Sequence, residues 1–336
     1  MTEKETKKRA NLRDVARAAG VSVATVSRVL NTPEAVSKNT RDRVQQAIES
    51  LHFVPSAAAR AINSGRTRVV GALVPTLDNA IFARFLSALE YELGEFGLSL
   101  VVATTAGDPG IEAEKAQRLI DIGAEALIVS GITHSPDFDN LISRTRLPTI
   151  ATSYYDDGYS LPTIGYDNAR ASRMALQYLI DAGHRQIAVI HGPADNNDRT
   201  RARLSGLLVD MPGLETFKFE TKITLEGGAT AIQNALSAGT HFTAVMCTSD
   251  VLAQGVLFEL HRQGMVVPSN VSLVSIDDLP VSGQSVPGIT TVHLPVVEMG
   301  KKTANAVIRW IEDGIRPDSQ LIDVTLKLRQ SVAEIT

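Results

Sequence analysis

The chain has few of the residues that disulfides and membrane spans require. Its 336 residues include one cysteine, Cys247, so no internal disulfide can form, which suits a reducing cytoplasm. No apolar stretch approaches the length of a membrane span, and the charged first residues lack the apolar segment of a secretory signal. Because 336 residues exceed one ordinary domain, we expect a cytoplasmic globular protein with one small and one large domain.

Motifs of the common enzyme classes are missing from the sequence. It has no glycine-rich phosphate loop, no GxSxG nucleophile turn and no cysteine and histidine spacing suited to zinc. The seven histidines are scattered among separate segments, and none is paired in sequence with a nucleophile. We therefore expect neither catalysis nor a cofactor nor a bound metal.

Charge is divided unevenly along the chain. Residues 1–68 carry 13 Lys and Arg against 6 Asp and Glu, a net charge of +7, and the remainder carries 20 against 31, a net charge of −11. A basic segment releases counterions when it binds a polyanion, whereas an acidic body is repelled by one. The asymmetry favours nucleic-acid binding by the amino-terminal segment, and a solvated charged face is the alternative interpretation.

The segment that begins near Asn11 has the pattern of a helix, a tight turn and a second helix. Asn11 or Asp14 can start the first helix, Gly20 breaks it, and Ser22 can cap the helix that follows. A third helix, capped by Ser37, is predicted to close a three-helix core. This spacing is typical of a DNA-binding helix-turn-helix.

The second predicted helix divides into an apolar and a polar face. Its buried side is formed by Val26, Val29 and Leu30. Its opposite side carries a stripe at i, i+3, i+4 and i+7 that consists of Ala24, Ser27, Arg28 and Asn31. The arginine can donate two hydrogen bonds to guanine, whereas the hydroxyl and amide groups suit phosphates. A phosphate contact is the alternative for the arginine as well.

Residues 56–65 have the composition of a short conditional helix. The segment starts with a serine and ends with Gly65, and it is too short to be a stable helix by itself in water. Its one bulky apolar side chain is Ile62. We predict that the segment folds on DNA and inserts Ile62 into a minor groove, the alternative being that Ile62 packs on a neighbouring domain.

These amino-terminal features resemble a known family. The runs 11–31, 36–41 and 55–62 are similar to the headpiece and hinge of the lactose-repressor/galactose-repressor (LacI/GalR) family of transcriptional regulators. The resemblance implies base contacts by Val23, Ala24 and Arg28, phosphate contacts by Thr25, Ser27 and Asn31, and hinge contacts by Ala59 and Ile62. Most members carry a leucine where this chain has isoleucine, a departure that keeps an apolar wedge.

From Arg68 onward, short apolar strands alternate with amphipathic helices. The predicted strands lie within 69–75, 99–105, 126–130, 148–153, 163–166, 186–191, 244–248, 272–276 and 290–294. This alternation predicts a doubly wound parallel α/β arrangement, and a change of character near Ile164 predicts two sheets and two lobes. The strand ends at a cleft between the lobes would offer a ligand site.

The family resemblance extends to this part on the runs 183–192, 248–250, 275–278 and 290–294. It implies a small all-α helix-turn-helix headpiece at 1–55, a hinge at 56–66 and an α/β two-lobe, periplasmic-binding-protein-like (type I) domain at 67–336. The first lobe would comprise about 67–164 and 295–320, and the second about 165–293 and 321–336. The family further implies a homodimeric or larger repressor that binds a near-palindromic operator under control of a small effector.

Polar and aromatic side chains at strand ends are the candidates for effector contacts. Carboxylate, amide and guanidinium groups around an aromatic ring suit a polyhydroxylated ligand, because each hydroxyl both donates and accepts. Position and resemblance favour Arg203 and Asp277 most. The remaining candidates are Asp78, Phe82, Ser249 and Asp250. We therefore expect a sugar or sugar acid in the cleft and double-stranded operator DNA at the headpiece.

Two positions have ordinary structural alternatives. Asp250 comes just before Val251, where a carboxylate often does no more than cap a helix. His134 lies in a run, 133–136, that is similar to one in gluconate-type repressors, and this suggests contact with an acidic sugar. A solvated or capping histidine is the alternative there.

A sugar-binding transport protein with the same α/β fold is the other functional class that the large domain allows. Such a protein would be exported and would not carry a helix-turn-helix. The amino-terminal segment therefore favours a transcriptional regulator over both a transport protein and an enzyme.

Overall fold

The computed structural model of the protein describes residues 10–54, 65–208 and 210–335. Its contacts divide the chain into two units, Met1–Thr67 and Arg68–Thr336. The predicted hinge contacts Ala59 and Ile62 lie outside the described residues. Across the described residues, no helix combines the length and apolarity that a membrane crossing needs.

The described part of the first unit is a three-helix bundle. It consists of α1 (Leu12–Ala19), α2 (Val23–Asn31) and α3 (Lys38–Ser50), with a 3₁₀ turn at Pro33–Ala35. The facing sides of the helices enclose an apolar core of Val15, Ala16, Ala19, Val26, Val44, Ala47 and Phe53. The predicted helix-turn-helix headpiece with a closing third helix is therefore confirmed.

Side-chain hydrogen bonds determine where α1 begins. The Asn11 side chain accepts hydrogen bonds from the backbone N–H groups of Arg13 (2.9 Å) and Asp14 (3.2 Å), and the Asp14 carboxylate accepts from the Asn11 N–H (3.0 Å). Asn11 is therefore the cap, and the reciprocal pair satisfies donors that a helix start leaves unpaired. Ser37 occupies the N-cap position of α3 as predicted, but its hydroxyl contacts the Thr40 hydroxyl and forms no hydrogen bond with the backbone of α3.

Gly20 supplies the sharp turn between α1 and α2. Its φ is +63°, in the left-handed region that glycine adopts without strain. A Cβ at this position would lie 2.8 Å from a guanidinium nitrogen of Arg43, which itself donates a hydrogen bond to the Ala19 carbonyl. The hydrogen bond from Arg43 on α3 therefore holds the turn in place, and this fixes the angle between the first two helices.

The first lobe of the second unit contains a six-stranded parallel sheet. Its strands are β1 (Val69–Val74), β2 (Ser99–Thr104), β3 (Ala124–Ser130), β4 (Thr149–Thr152), β5 (Thr163–Gly165) and β11 (Gln320–Leu321), in the order β11–β5–β4–β3–β1–β2. One face packs against α4 (Ala80–Glu95) and α12 (Val296–Asp313), and the other against α5 (Glu112–Asp121) and α6 (Pro136–Thr145). Burial on both faces explains why these strands are continuous apolar runs.

The second lobe repeats this arrangement around a second six-stranded sheet. Its strands are β6 (Gln186–His191), β7 (Glu215–Glu220), β8 (Ala244–Cys247), β9 (Ser272–Asp277), β10 (Thr290–His293) and β12 (Thr325–Lys327), in the order β12–β10–β9–β8–β6–β7. Only β12 runs antiparallel to its neighbour. The helices of this lobe are α7 (Asn168–Asp181), α8 (Asp198–Ser205), α9 (Leu225–Ser237), α10 (Asp250–Arg262) and α11 (Pro280–Gln284).

The chain passes between the two sheets three times, after β5, after β10 and after β11. The nine predicted strands are present, and the predicted two-lobe α/β fold is confirmed. Three strands were missed. β7 is an edge strand with the charged residues Glu215, Lys218 and Glu220, and β11 and β12 have only two and three residues.

The cap of α1 gives a test of the headpiece. We expect Asn11→Ala to lower the free energy of unfolding of the three-helix bundle by about 1 kcal/mol, because two N–H groups lose their acceptor. Hydrogen exchange of the α1 amides in the full chain measures this change. Ser37→Ala is the matched control, with an expected change below about 0.5 kcal/mol because its side chain caps nothing. Equal effects of the two substitutions would contradict the assignment.

Candidate functional site

A cavity of about 660 Å³ lies between the two lobes of the second unit. The carboxyl ends of parallel strands from both sheets border it, which is the usual position of ligand sites in α/β folds. We call it the interlobe cleft. Its wall includes Pro75, Asp78, Phe82, Ser153 and Tyr166 from the first lobe, and Pro193, Arg199, Arg203, Thr248, Gln254 and Asp277 from the second.

Arg203 is held in the wall of the cleft by side-chain hydrogen bonds. Its Nε donates to the Asn168 side chain at 3.0 Å, and its Nη1 donates to the Thr248 carbonyl. The same Nη1 lies 3.8 Å from a carboxylate oxygen of Asp277, and the Arg203 side chain is 11% exposed. These contacts leave further guanidinium N–H groups for a ligand in the cleft.

Asp277 ends β9 and reaches the cleft with an almost fully buried carboxylate. Burial raises its pKa to about 7, and the positive charge of Arg203 offsets only part of this effect. The carboxylate also accepts a hydrogen bond from the backbone N–H of Asp250 at 3.2 Å. Sequence analysis predicted that Arg203 and Asp277 belong to one site, and the structure brings them together.

The backbone that presents Asp277 to the cleft is unusual. Asp277 has a φ of +132° and Asp278 a φ of +60°, which L-residues adopt only at a cost. The Asp278 carboxylate is anchored by Arg329 at 2.6 Å and by His293 at 2.9 Å. Burial would raise the pKa of Asp278, but its hydrogen bond and ion pair with Arg329 outweigh burial and lower it. Asp278 thus stabilises the backbone conformation that aims Asp277.

Asp250 does not line the interlobe cleft, which corrects its assignment as an effector contact. Its carboxylate is fully buried and accepts hydrogen bonds from the Thr291 hydroxyl (2.7 Å), the Leu279 N–H (2.7 Å), the Ser282 hydroxyl (2.6 Å) and the Ser275 hydroxyl. Burial raises its pKa, and these hydrogen bonds offset part of that rise. The side chain is therefore structural.

Ser249 and His134 do not line the cleft either, although the Ser249 side chain is hydrogen-bonded to Asp277, which does. Ser249 caps α10, where its hydroxyl accepts a hydrogen bond from the Val251 N–H at 3.3 Å. His134 is buried inside the first lobe, with its Nδ1 2.8 Å from the Glu112 carboxylate and its ring against Phe138. The suggested contact of His134 with an acidic sugar is therefore wrong, because protein groups surround the ring.

The first lobe contributes the aromatic side of the cleft. Phe82, near the start of α4, is half-buried in the wall, and Asp78 lies beside it at an exposed position. Sequence analysis missed Ser153 and Tyr166 as site residues, although each is the last residue of a predicted strand and directly follows β4 or β5 in the structure. It also missed Met299, which reaches the cleft from α12 and has no signal in the sequence. Among the described residues, no three His, Cys, Asp or Glu side chains are grouped to hold a metal.

In the first unit, α2 presents a compact exposed face. The Ser22 hydroxyl caps the helix by accepting a hydrogen bond from the Thr25 N–H at 3.1 Å, and Val26 is fully buried beneath it. Val29 and Leu30 are partly buried, as expected for the inner side. The exposed or half-exposed residues are Val23, Ala24, Thr25, Ser27, Arg28 and Asn31. The predicted stripe is thus brought to one surface.

Two of these side chains are already ordered against each other. The Asn31 amide donates a hydrogen bond to the Ser27 hydroxyl at 3.2 Å. Arg28, one residue beyond Ser27, is exposed, and within the described residues its guanidinium has no hydrogen-bond or ion-pair partner. A free guanidinium beside a fixed polar pair suits contacts to base edges and phosphates.

Comparison with known protein families gives two matches along the chain. Residues 11–56 match bacterial regulatory proteins of the lacI family, and residues 176–332 match a periplasmic binding protein-like domain. The first match covers α1 to α3, and the second covers most of the second lobe.

Individual proteins match nearly the whole chain. The HTH-type transcriptional repressor PurR of Escherichia coli O139:H28 is 31% identical, with 97% of each chain covered. A LacI family transcriptional regulator from Silicibacter pomeroyi has a TM-score of 0.87 at 25% identity, covering 96% of this chain and 99% of the other. The lac repressor dimer bound to operator and an anti-inducer has a TM-score of 0.86 at 23% identity, covering 97% and 100%.

The raised pKa of Asp277 predicts a pH-dependent effect of Asp277→Asn. Between pH 4 and 7, Asp277 keeps a proton in the folded protein that it releases in the unfolded chain. As the pH rises through this range, the free energy of unfolding of the parent therefore falls relative to that of the variant, which has no carboxyl to titrate at this position. The difference is expected to change by up to about 1.4 kcal/mol per pH unit and to level off above pH 7. Thermal unfolding of both proteins across this range measures it.

Asp278→Asn is the matched control because its pKa shift has the opposite sign. Since ionised Asp278 stabilises the fold, this variant should be less stable than the parent above the ordinary carboxyl pKa. Its deficit should shrink as the pH falls through the lowered pKa. A difference for Asp277→Asn that stays constant from pH 4 to 7 would contradict the burial argument.

Proposed function

The chain belongs to the lacI family of bacterial regulatory proteins, and we propose that it represses transcription by binding operator DNA. The observation that carries this proposal is the exposed face of α2, at whose centre the Arg28 guanidinium has no partner among the described residues. We further propose that a small carbohydrate-like effector, a sugar or a sugar acid, binds in the interlobe cleft and switches the affinity for DNA. The relatives are transcriptional repressors and regulators rather than enzymes.

The proposed DNA contacts lie on α2 and in the hinge. Arg28 binds a guanine edge, with Val23 and Ala24 beside it on adjacent bases, while Thr25, Ser27 and Asn31 bind phosphates. Ala59 and Ile62 complete the contacts from the proposed hinge at residues 56–66. The positive charge of residues 1–68 supports this assignment because counterion release supplies much of the affinity for DNA.

A dimer is the proposed binding form. One recognition helix contacts only a few base pairs, so two copies of α2 on a near-palindromic operator are needed for a useful affinity. The lac repressor of similar fold is described as a dimer bound to operator. In this proposal residues 67–336 hold the two copies together, and residues 1–55 bind the two half-sites.

The effector site is proposed in the interlobe cleft because polar groups there converge on an aromatic wall. Arg203 and Asp277 offer donors and acceptors to ligand hydroxyls, and Asp78 adds acceptors from the first lobe. Phe82 provides an apolar face of the kind that sugar rings pack against. The cavity volume of about 660 Å³ accommodates a small ligand with several hydroxyls.

Contacts between the lobes provide a route from the effector to the rest of the second unit. The Arg84 guanidinium on α4 of the first lobe donates a hydrogen bond to the Asp278 carbonyl at 3.2 Å, directly beside Asp277. A ligand that binds Asp277 and Phe82 together changes the preferred separation of the lobes. In a dimer this moves the first lobes and alters whether the hinge segments can fold on DNA.

Arg28→Ala tests the proposed DNA contact. We expect it to weaken binding to the operator by about 1–3 kcal/mol and to relax the preference for one base pair, because a bidentate contact to guanine is lost. A salt titration of binding to operator and to unrelated duplex DNA measures both effects.

Arg118→Ala is the control, since it removes the same charge from the exposed surface of the second unit. It should leave the affinity nearly unchanged. Operator binding that Arg28→Ala leaves intact would refute the assignment of α2, and an absence of salt-dependent DNA binding by the parent protein would refute the function itself.

Phe82→Ala tests the effector site. Once a screen of sugars, sugar acids and nucleobases by thermal shift identifies a stabilising ligand, this variant should bind it about tenfold more weakly, because contact with the aromatic face is lost. Isothermal titration measures the affinity. Phe96→Ala, at an exposed position just after the same helix, is the control. Equal affinities of the two variants would place the ligand elsewhere.

A further inference from the structure

A second arginine of α8 lines the interlobe cleft together with Arg203. Arg199 lies four residues earlier, so the two guanidinium groups share one face of the helix. The Arg199 side chain is 14% exposed. Two positive charges at this spacing repel each other, and the repulsion is stronger where water is excluded. This part of the wall therefore favours a negative charge nearby.

The two arginines differ in how their donors are used. Arg203 donates hydrogen bonds to the Asn168 side chain and to the Thr248 carbonyl. Arg199 has one partner within the part of the chain that the structure describes, an ion pair in which its Nη1 lies 3.2 Å from Oδ1 of Asp198. It forms no hydrogen bond there. A guanidinium has five N–H donors, so Arg199 keeps donors that face the cleft and can bind a ligand there.

Asp198, the ion-pair partner of Arg199, is also hydrogen-bonded to the opposite lobe. Its Oδ2 accepts hydrogen bonds from the backbone N–H groups of Ile132 and of Thr133, the latter at 2.8 Å. This carboxylate thus links α8 to the loop after β3. The Arg199 guanidinium lies against the same loop, so close that a Cβ at Gly131 would be 2.2 Å from it. The Arg199 guanidinium is therefore fixed between α8 and the loop after β3.

The other carboxylates in the wall do not compensate Arg199. Asp277 is already beside Arg203. Asp78 and Glu226 line the cleft at exposed positions, where water and salt screen their charge. The end of the cleft next to α8 therefore holds a guanidinium, that of Arg199, which is paired with one carboxylate and still has unused N–H donors.

We propose that the effector carries an anionic group, a carboxylate or a phosphate, and that Arg199 binds its oxygens. This inference rests on the proposed function, since it assigns the chemistry of the ligand in the same cleft. A planar guanidinium forms two parallel hydrogen bonds with either group. The hydroxylated body of the ligand then extends towards Arg203, Asp277 and Phe82.

The test uses matched pairs of ligands that differ in one charged group. D-gluconate is compared with D-glucitol, and D-glucuronate and D-glucose 6-phosphate are each compared with D-glucose. Binding to the full-length chain is followed by isothermal titration and by the shift in Tm. We expect one anionic compound to bind at least tenfold more tightly than its neutral counterpart, and the pairs distinguish a carboxylate from a phosphate.

Variants at α8 connect this preference to Arg199. Arg199→Gln should bind the anionic compound at least tenfold more weakly, and Arg199→Lys should restore part of the affinity. Arg173→Gln is the control, because Arg173 is exposed on α7 of the same lobe and does not line the interlobe cleft. It should bind like the parent protein.

Several outcomes would overturn the proposal. They are a neutral compound that binds as tightly as its anionic partner, unchanged affinity in Arg199→Gln, or no binding of any anionic compound. The proposed function is tested separately, by measuring operator binding of the same preparations with and without ligand. If a neutral ligand alters operator binding, the proposal of a ligand-controlled repressor is supported and the proposal of an anionic effector is refuted. If the protein does not bind operator DNA, the proposed function falls whatever the cleft binds.

Discussion

The buried carboxylate of Asp250 is the interaction on which the second lobe depends. A carboxylate without solvent is costly unless its oxygens are hydrogen-bonded, and here donors from β9, β10, α11 and the loop at Leu279 all meet on it. The one side chain thereby fixes the start of α10 against the ends of two strands. Its own backbone N–H then donates to Asp277, so the position of the cleft carboxylate follows from a residue that does not line the cleft. Removal of either partner in such a network leaves a buried group unpaired, which costs more than the bond contributes.

The same arrangement explains why the end of β9 tolerates an unfavourable backbone. Asp277 and Asp278 both have positive φ values, and no glycine is present to relieve them. The anchoring of Asp278 by Arg329 and His293 offsets that cost and turns consecutive carboxylates in opposite directions. One of them is left buried, with a raised pKa, and the other ionised, with a lowered pKa. Different surroundings thus give two adjacent aspartates separate roles. Asp277 lines the cleft, and Asp278 holds the backbone in place through Arg329 and His293.

Sequence reasoning succeeded where local pattern and local chemistry agree. The turn at Gly20, the cap at Ser22, the apolar strands and the two-lobe fold follow from spacing alone. The choice of Arg203, on α8, and of Asp277, at the end of β9, also needed the resemblance to the family. It failed where a role depends on residues far apart in the chain. Nothing next to Asp250 or His134 in the sequence indicates that Thr291 or Glu112 will surround them. β7 was missed because an edge strand with charged residues lacks the continuous apolar run on which the other assignments rested.

Ligand control of the second unit requires contacts that differ between two separations of the lobes, because a ligand shifts an equilibrium only by its differential affinity. Hydrogen bonds between the lobes depend on the separation of the lobes, and they include two next to the wall of the cleft. Asp198 joins α8 to backbone N–H groups of the first lobe, and Arg84 joins α4 to the carbonyl of Asp278. Both lie directly beside residues that line the cleft, Arg199 in one case and Asp277 in the other. A ligand that draws on Arg199 and Asp277 therefore acts on both contacts at once, and this couples the chemistry of the effector to the separation of the lobes.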